Sequence, residues 1–114
     1  MTLENIQTAQ KLLSIQRQIK ELSKDFPLAI GAFGAFCCAI IIEKKEKRSI
    51  NLKVLASYLM VSPATMTRHA KKLEAHEWLL LEKHGREVTA KPTNKSEEIA
   101  AKYLEFMGHF ITKN

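Results

Sequence analysis

The residues best suited to chemistry lie on one predicted helix in the middle of the chain. A helix that begins at Ser62-Pro63 places Met66, Ala70 and Leu73 on its inward face. The outward face then carries Ala64, Thr65, Thr67, Arg68, Lys71 and Lys72. Guanidinium and hydroxyl groups hydrogen-bond to base edges, and basic groups bind phosphates. This face predicts binding of a nucleic acid.

Each outward side chain suits a particular contact with a DNA duplex. Arg68 can form paired hydrogen bonds with a guanine edge, and Ala64 can contact a thymine methyl group. Thr65 and Thr67 can bond to bases or phosphates. Phosphates are the expected partners of Lys53, Lys71 and Lys72. The alternative is an ordinary solvated helix face.

The charge distribution agrees with an anionic partner at the centre of the chain. The 114 residues include 18 Lys and Arg against 12 Asp and Glu, a net charge of +6. Residues 43–91 hold eleven basic and six acidic groups, so they carry +5 of this charge. Asp25 is the single aspartate, and the sequence has no Gly-rich phosphate loop, metal-ligand spacing or nucleophile motif. We therefore expect no enzyme, no cofactor and no bound metal.

Elements on either side would position this helix. Asn51 or Ser49 can cap a preceding helix of about ten residues that ends in a short turn. Residues 78–83 and 88–91 read as two strands of a hairpin, and Gly85 supplies the positive φ that its turn requires. Helix, turn, helix and hairpin form the plan of a winged helix-turn-helix. Basic residues flank Gly85, namely Lys83, His84, Arg86 and Lys91, and we expect Lys83 and Arg86 to contact DNA from this wing.

Three further helices are expected outside this unit. Residues 3–24 carry one apolar stripe, a second helix starts at Pro27 and enters the charged segment 43–48, and a last helix spans 96–112. The fold class is therefore mainly α with a small β-hairpin wing. We expect a single domain, divided into N-terminal helices (1–48), the helix-turn-helix with its wing (49–92) and a C-terminal helix (93–114).

The first and last helices predict a homodimer. Their apolar stripes, from Leu12 to Phe26 and from Ile99 to Ile111, are wide enough to bury each other and still face a second copy. Core packing within one chain is the alternative for the same residues.

The uncharged run from Leu28 to Ile42 predicts a central buried helix. Its fifteen residues fall short of the roughly 20 that span a bilayer, so we expect no membrane association. Small residues such as Gly31 and Gly34 would let another helix approach closely. The adjacent Cys37 and Cys38 are poorly placed to pair with each other and suit a reducing, cytoplasmic location. We expect two buried hydrophobes, and a redox-sensing thiol is the alternative.

The segment from Ile50 to Lys95, about 50 residues, resembles the winged helix of MarR-type regulators, to which the SarA-type regulators are closely related. The resemblance rests on Ile50-Asn51-Leu52, on the segment from Val61 to Arg68, on Leu73-Glu74, and on the junction from Lys91 to Lys95 between the wing and the last helix. It implies a homodimer formed by the first and last helices, with recognition roles for Ala64, Thr65, Thr67 and Arg68 and a wing role for Arg86. Departures from the family pattern are Met60 and Glu77, which stand where glycine is usual, and His84, which stands in place of an aspartate.

Together these observations predict a dimeric, sequence-specific protein that binds double-stranded DNA, most simply a bacterial transcriptional regulator. One alternative is a plasmid or phage accessory factor for replication or conjugative transfer. Another is a winged-helix module that binds an acidic protein and has no role on DNA. The sequence predicts no particular small-molecule effector.

Overall fold

The computed structural model describes residues 1–45 and 49–111. In chain order the elements are α1 (Leu3–Leu22), α2 (Ile30–Lys44), β1 (Ile50–Asn51), α3 (Leu52–Leu59), α4 (Pro63–Ala75), β2 (Leu79–His84), β3 (Glu87–Pro92) and α5 (Asn94–Ile111). The predicted fold class, mainly helical with a small wing, is confirmed. Residues 46–48 of the predicted charged segment and residue 112 of the predicted last helix lie outside the described residues.

The sheet has one strand more than the sequence predicts. Strand order is β1-β3-β2, and both pairings are antiparallel. Ile50 lies opposite Ala90, and Asn51 lies opposite Thr89. This pairing of β1 with β3 holds the start of α3 against the hairpin. The tip of the hairpin, at Gly85 and Arg86, follows the last β2–β3 pair, His84 with Glu87.

Aromatic side chains fill the centre of the core. Trp78 is fully buried and packs edge-to-face against Phe26 and Phe33, with ring centroids 5.2 and 6.4 Å away. Its indole nitrogen donates to the carbonyl oxygen of Asp25 at 3.3 Å. Trp78 precedes β2, whereas the sequence placed it in the strand. The predicted start of α2 at Pro27 is wrong: α2 begins at Ile30, and Phe26, in the link before it, is buried in the core.

The apolar helix α2 forms one wall of this core. Phe33, Phe36 and Cys37 are fully buried, but Ile30 and Ile42 near its ends are more than half exposed. The close helix approach predicted from the small residues occurs at Gly34, where a Cβ atom would lie 2.7 Å from the hydroxyl oxygen of Tyr103 on α5, but not at Gly31, where a Cβ atom would meet no atom within 4 Å. Cys38 is only half-buried, and both cysteines are free thiols.

Candidate nucleic-acid interface

The start of α4 is fixed by a capped turn. The Ser62 hydroxyl accepts from the amide of Thr65 at 3.2 Å, and Pro63 occupies the first turn of the helix. This arrangement satisfies a free amide at the helix end and restricts the backbone at the same point. Met66 and Leu73 are fully buried, which fixes the rotation of α4 about its axis. The start of the helix and the inward face predicted from the sequence are confirmed.

This rotation exposes the opposite face of α4. Ala64, Thr67, Arg68, Lys71 and Lys72 are exposed, and Thr65 is half-buried. Side chains on this face are thus available to a large partner, which is the arrangement that the predicted contacts require. Whether they contact DNA stays a prediction.

Two hydroxyl groups on this face are engaged within the helix. Thr67 donates to the carbonyl oxygen of Pro63 at 3.0 Å, so its hydroxyl is left as an acceptor for an external donor. The Thr65 hydroxyl accepts from Arg68 Nη2 at 3.3 Å and lies 3.0 Å from the Ser62 hydroxyl. Arg68 has five N–H donors, so this single bond orients its guanidinium and leaves donors for a base edge.

A groove joins the recognition helix to the wing. It has a volume of about 500 Å³, and its lining includes Lys53, Thr67 and Arg86, three of the predicted DNA-binding residues. They come from the start of α3, the first half of α4 and the tip of the hairpin. The other predicted residues on α4, and Lys83, do not line this groove.

The wing turns at Gly85, whose φ of +63° confirms the predicted left-handed conformation. Lys83 and Arg86 are exposed beside it. Lys91, in contrast, lies opposite Leu80 near the base of the hairpin, where its ammonium group is 3.2 Å from Glu82. This ion pair lowers the pKa of Glu82. The expectation that Lys91 lies beside Gly85 is wrong.

Two residues of the groove were not predicted as a pair. The side-chain amide of Asn51 donates to the carboxylate of Glu87, while its oxygen accepts from the amide of Lys53 at 2.7 Å and caps α3. The capping role is predictable from the sequence, since Asn before an apolar helical stripe is a common N-cap. The bond to Glu87 depends on tertiary structure and has no sequence signal.

His69 lies beside the inward row of α4. Its ring is half-buried, and Nδ1 is fully buried with no hydrogen-bond partner in the described part of the chain. Burial lowers the pKa of His69, and the nearby cations Lys72 and Arg68 lower it further. The imidazole is therefore held in its neutral form at neutral pH, as a packed residue.

Comparisons with known proteins show what the chain is similar to. Residues 41–86 match the model of the MarR family, and no curated protein matches the chain. The fold is similar to that of MepR, a transcription regulator of the Staphylococcus aureus multidrug efflux pump MepA (TM-score 0.66, 10% identity, covering 98% of this chain and 81% of that one). It is also similar to that of the MarR family transcriptional regulator SPO1453 from Silicibacter pomeroyi DSS-3 (TM-score 0.61, 14% identity, covering 93% of this chain and 74% of that one). A third similar structure is the transcriptional regulator Tm0710 from Thermotoga maritima (TM-score 0.56, 24% identity, covering 96% of this chain and 75% of that one).

These matches confirm the predicted resemblance, and the fold is that of MarR-type winged-helix proteins. The family match spans α3, α4 and the first half of the wing, which are the elements that carry the candidate interface. No helix within residues 1–45 and 49–111 has the length and apolar character needed to cross a membrane.

Proposed function

We propose that this protein is a transcriptional regulator that binds a specific double-stranded DNA site as a homodimer. The observation that carries the proposal is the shared groove, in which Thr67 of α4 and Arg86 of the wing lie on one exposed surface with Lys53. In this arrangement α4 enters the major groove with Arg68 at a base edge, and the wing follows the adjacent backbone or minor groove. The proposal assigns a binding role without catalysis, in the cytoplasm.

The free helix faces support a second copy as the dimer partner. α1 has twenty residues, none of which is buried. Ile19 and Leu22 near its end contact the core, but Leu12 and Leu13 are more than half exposed. Most of the stability of a helix in a protein comes from packing of its apolar face, and the exposed apolar residues of α1 favour a partner along its length.

The end of α5 continues this apolar surface. Phe110 and Ile111 are exposed by 37% and 69%, and the ammonium group of Lys11 on α1 lies 5.7 Å from the centroid of the Phe110 ring. α1 and α5 therefore contact each other and still leave apolar area for a second copy. Dimerisation there would set the two α4 helices on half-sites about one helical turn of DNA apart.

The experiment that tests this function is selection of duplexes from a random pool, followed by sequencing and by light scattering of the complex. We expect an enriched site with two-fold symmetry, bound by two chains. Arg68→Ala should relax the preference at one base position per half-site, whereas Lys71→Ala should weaken binding to all sequences about equally.

Two results of this experiment would contradict the proposal. If neither substitution changes binding, α4 is not the reading surface. If no sequence is enriched and binding disappears at moderate salt, the basic surface only attracts phosphate, and a module that binds an acidic protein becomes the better account.

A further inference from the structure

The bond between Asn51 and Glu87 joins two parts of the candidate interface that are distant in sequence. Asn51 ends β1 and caps α3, and Glu87 begins β3 directly after the wing tip. Both residues line the groove that joins the recognition helix to the wing, and their side chains are hydrogen-bonded to each other.

The sheet register shows where this bond acts. The last β1–β3 pair is Asn51 with Thr89, and the chain enters α3 at Leu52. From Val88 to the tip, β3 therefore pairs only with β2. The side chain of Asn51 reaches Glu87, two residues nearer to the tip than the last backbone pair. This contact holds the wing to the start of α3 at a point beyond the last backbone pair between β1 and β3.

Glu87 is also the neighbour of Arg86. Its pairing with His84 closes the turn that presents Gly85 and Arg86. A hairpin held only by its own two strands is marginally stable, so a bond from the helical body to Glu87 restricts how far the tip can swing. Arg86, next to Glu87, lines the same groove as Thr67.

We propose that Asn51 is a positioning residue, which sets the orientation of Arg86 toward DNA by holding Glu87. This inference rests on the proposed function, because it assigns Arg86 to the DNA contact. Asn51 itself is not assigned a contact with DNA.

Asn51→Ser is the variant that isolates this bond. Serine is an N-cap residue as good as asparagine, so the start of α3 and the net charge are kept while the amide donor is lost. The thermal midpoint should stay close to that of the wild type. In the free protein, amide hydrogen exchange should become faster at residues 85–88, and Glu87→Ala, which breaks the same bond from its other end, should accelerate the same amides.

On the selected duplex, Asn51→Ser should weaken binding about fivefold, which is the size of one typical net hydrogen bond. The slope of log affinity against log salt should become shallower by about one, as for Arg86→Ala, because one phosphate contact is lost. In the Arg86→Ala background, Asn51→Ser should weaken binding less than about twofold, because both substitutions remove the same contact.

Three results would overturn the inference. One is unchanged exchange at residues 85–88 in Asn51→Ser. A second is a full fivefold loss that persists in the Arg86→Ala background, which would mean that Asn51 acts independently of Arg86. The third is a wild-type protein that selects no duplex, which would refute the proposed function and this inference with it. In the first two cases the wild type still binds its selected site, so the two failures are distinguishable.

Discussion

Replacing Met60 by glycine should make the protein more stable. Met60 ends α3 with φ 58° and ψ 44°, in the left-handed region that side chains with a Cβ atom disfavour. This conformation costs about 1–2 kcal/mol for an L-residue. Glycine removes that cost but loses about 0.5–1 kcal/mol more conformational entropy on folding. Because the Met60 side chain is 90% exposed, almost no packing is lost.

The net effect of Met60→Gly is therefore a gain of about 0.5–1 kcal/mol in the free energy of unfolding. For a chain of this length the thermal midpoint should rise by about 2–5 °C. Urea denaturation followed by circular dichroism measures the free energy directly. Met60→Ala is the matched control, since it removes the same exposed side chain and keeps the Cβ atom, and its stability should equal that of the wild type.

At the wing, the cost of the left-handed conformation should make the reverse substitution, glycine to alanine, destabilising. Gly85 has φ +63°, and a Cβ atom added there would meet no other atom within 4 Å, so Gly85→Ala introduces only the conformational cost. The conformational cost of about 1–2 kcal/mol is partly offset by about 0.5–1 kcal/mol of entropy that alanine saves on folding, so the protein should lose about 0.5–1 kcal/mol of stability. Equal stability of Met60→Gly and Met60→Ala, or a neutral Gly85→Ala, would refute this reasoning.

Three further predictions follow from the core and from α4. Gly34→Ala should lower the free energy of unfolding by about 1 kcal/mol, because the clash with the Tyr103 hydroxyl exceeds the gain in helix propensity, and Tyr103→Phe should abolish this loss in a double-mutant cycle. Burial lowers the pKa of His69 in the folded protein below its usual value of 6.5. The resulting stabilisation is fully present above pH 6.5 and is lost as the pH falls toward the pKa of the folded state. Urea titrations should therefore show that the free energy of unfolding depends less on pH in His69→Leu than in the wild type, and an equal pH dependence would contradict this prediction. Burial, with a smaller contribution from Cys38, raises the pKa of Cys37 to about 12; iodoacetamide should therefore modify Cys38 first in the native protein, and mass spectrometry that found Cys37 alkylated first would contradict the packing.

The sequence was sufficient for the elements whose signals are local. Ser62-Pro63 predicted the start of α4 because a cap and a proline act within one turn, and the spacing of Met66, Ala70 and Leu73 predicted its buried face. The helical period that buries this face of α4 also predicts that the opposite face is exposed. The conformation of Gly85 was likewise predictable, because only the local turn requires it.

Features that depend on tertiary pairing were not predictable. β1 has two residues, too few for any periodic signal, and exists because Ala90 and Thr89 lie opposite it. Pro27 predicted the start of the second helix, but α2 begins at Ile30, after a link in which Phe26 packs into the aromatic cluster. The bond from Asn51 to Glu87 joins side chains 36 residues apart, so no local pattern could reveal it.

The measurement that tests the central claim most directly is a fluorescence-anisotropy titration of the selected duplex against a scrambled duplex of the same composition, over a range of salt concentrations. We expect the selected duplex to bind at least about a thousandfold more tightly at physiological salt, with two chains per duplex. Equal affinity for both duplexes at every salt concentration would contradict the claim, because phosphate attraction alone does not distinguish sequences.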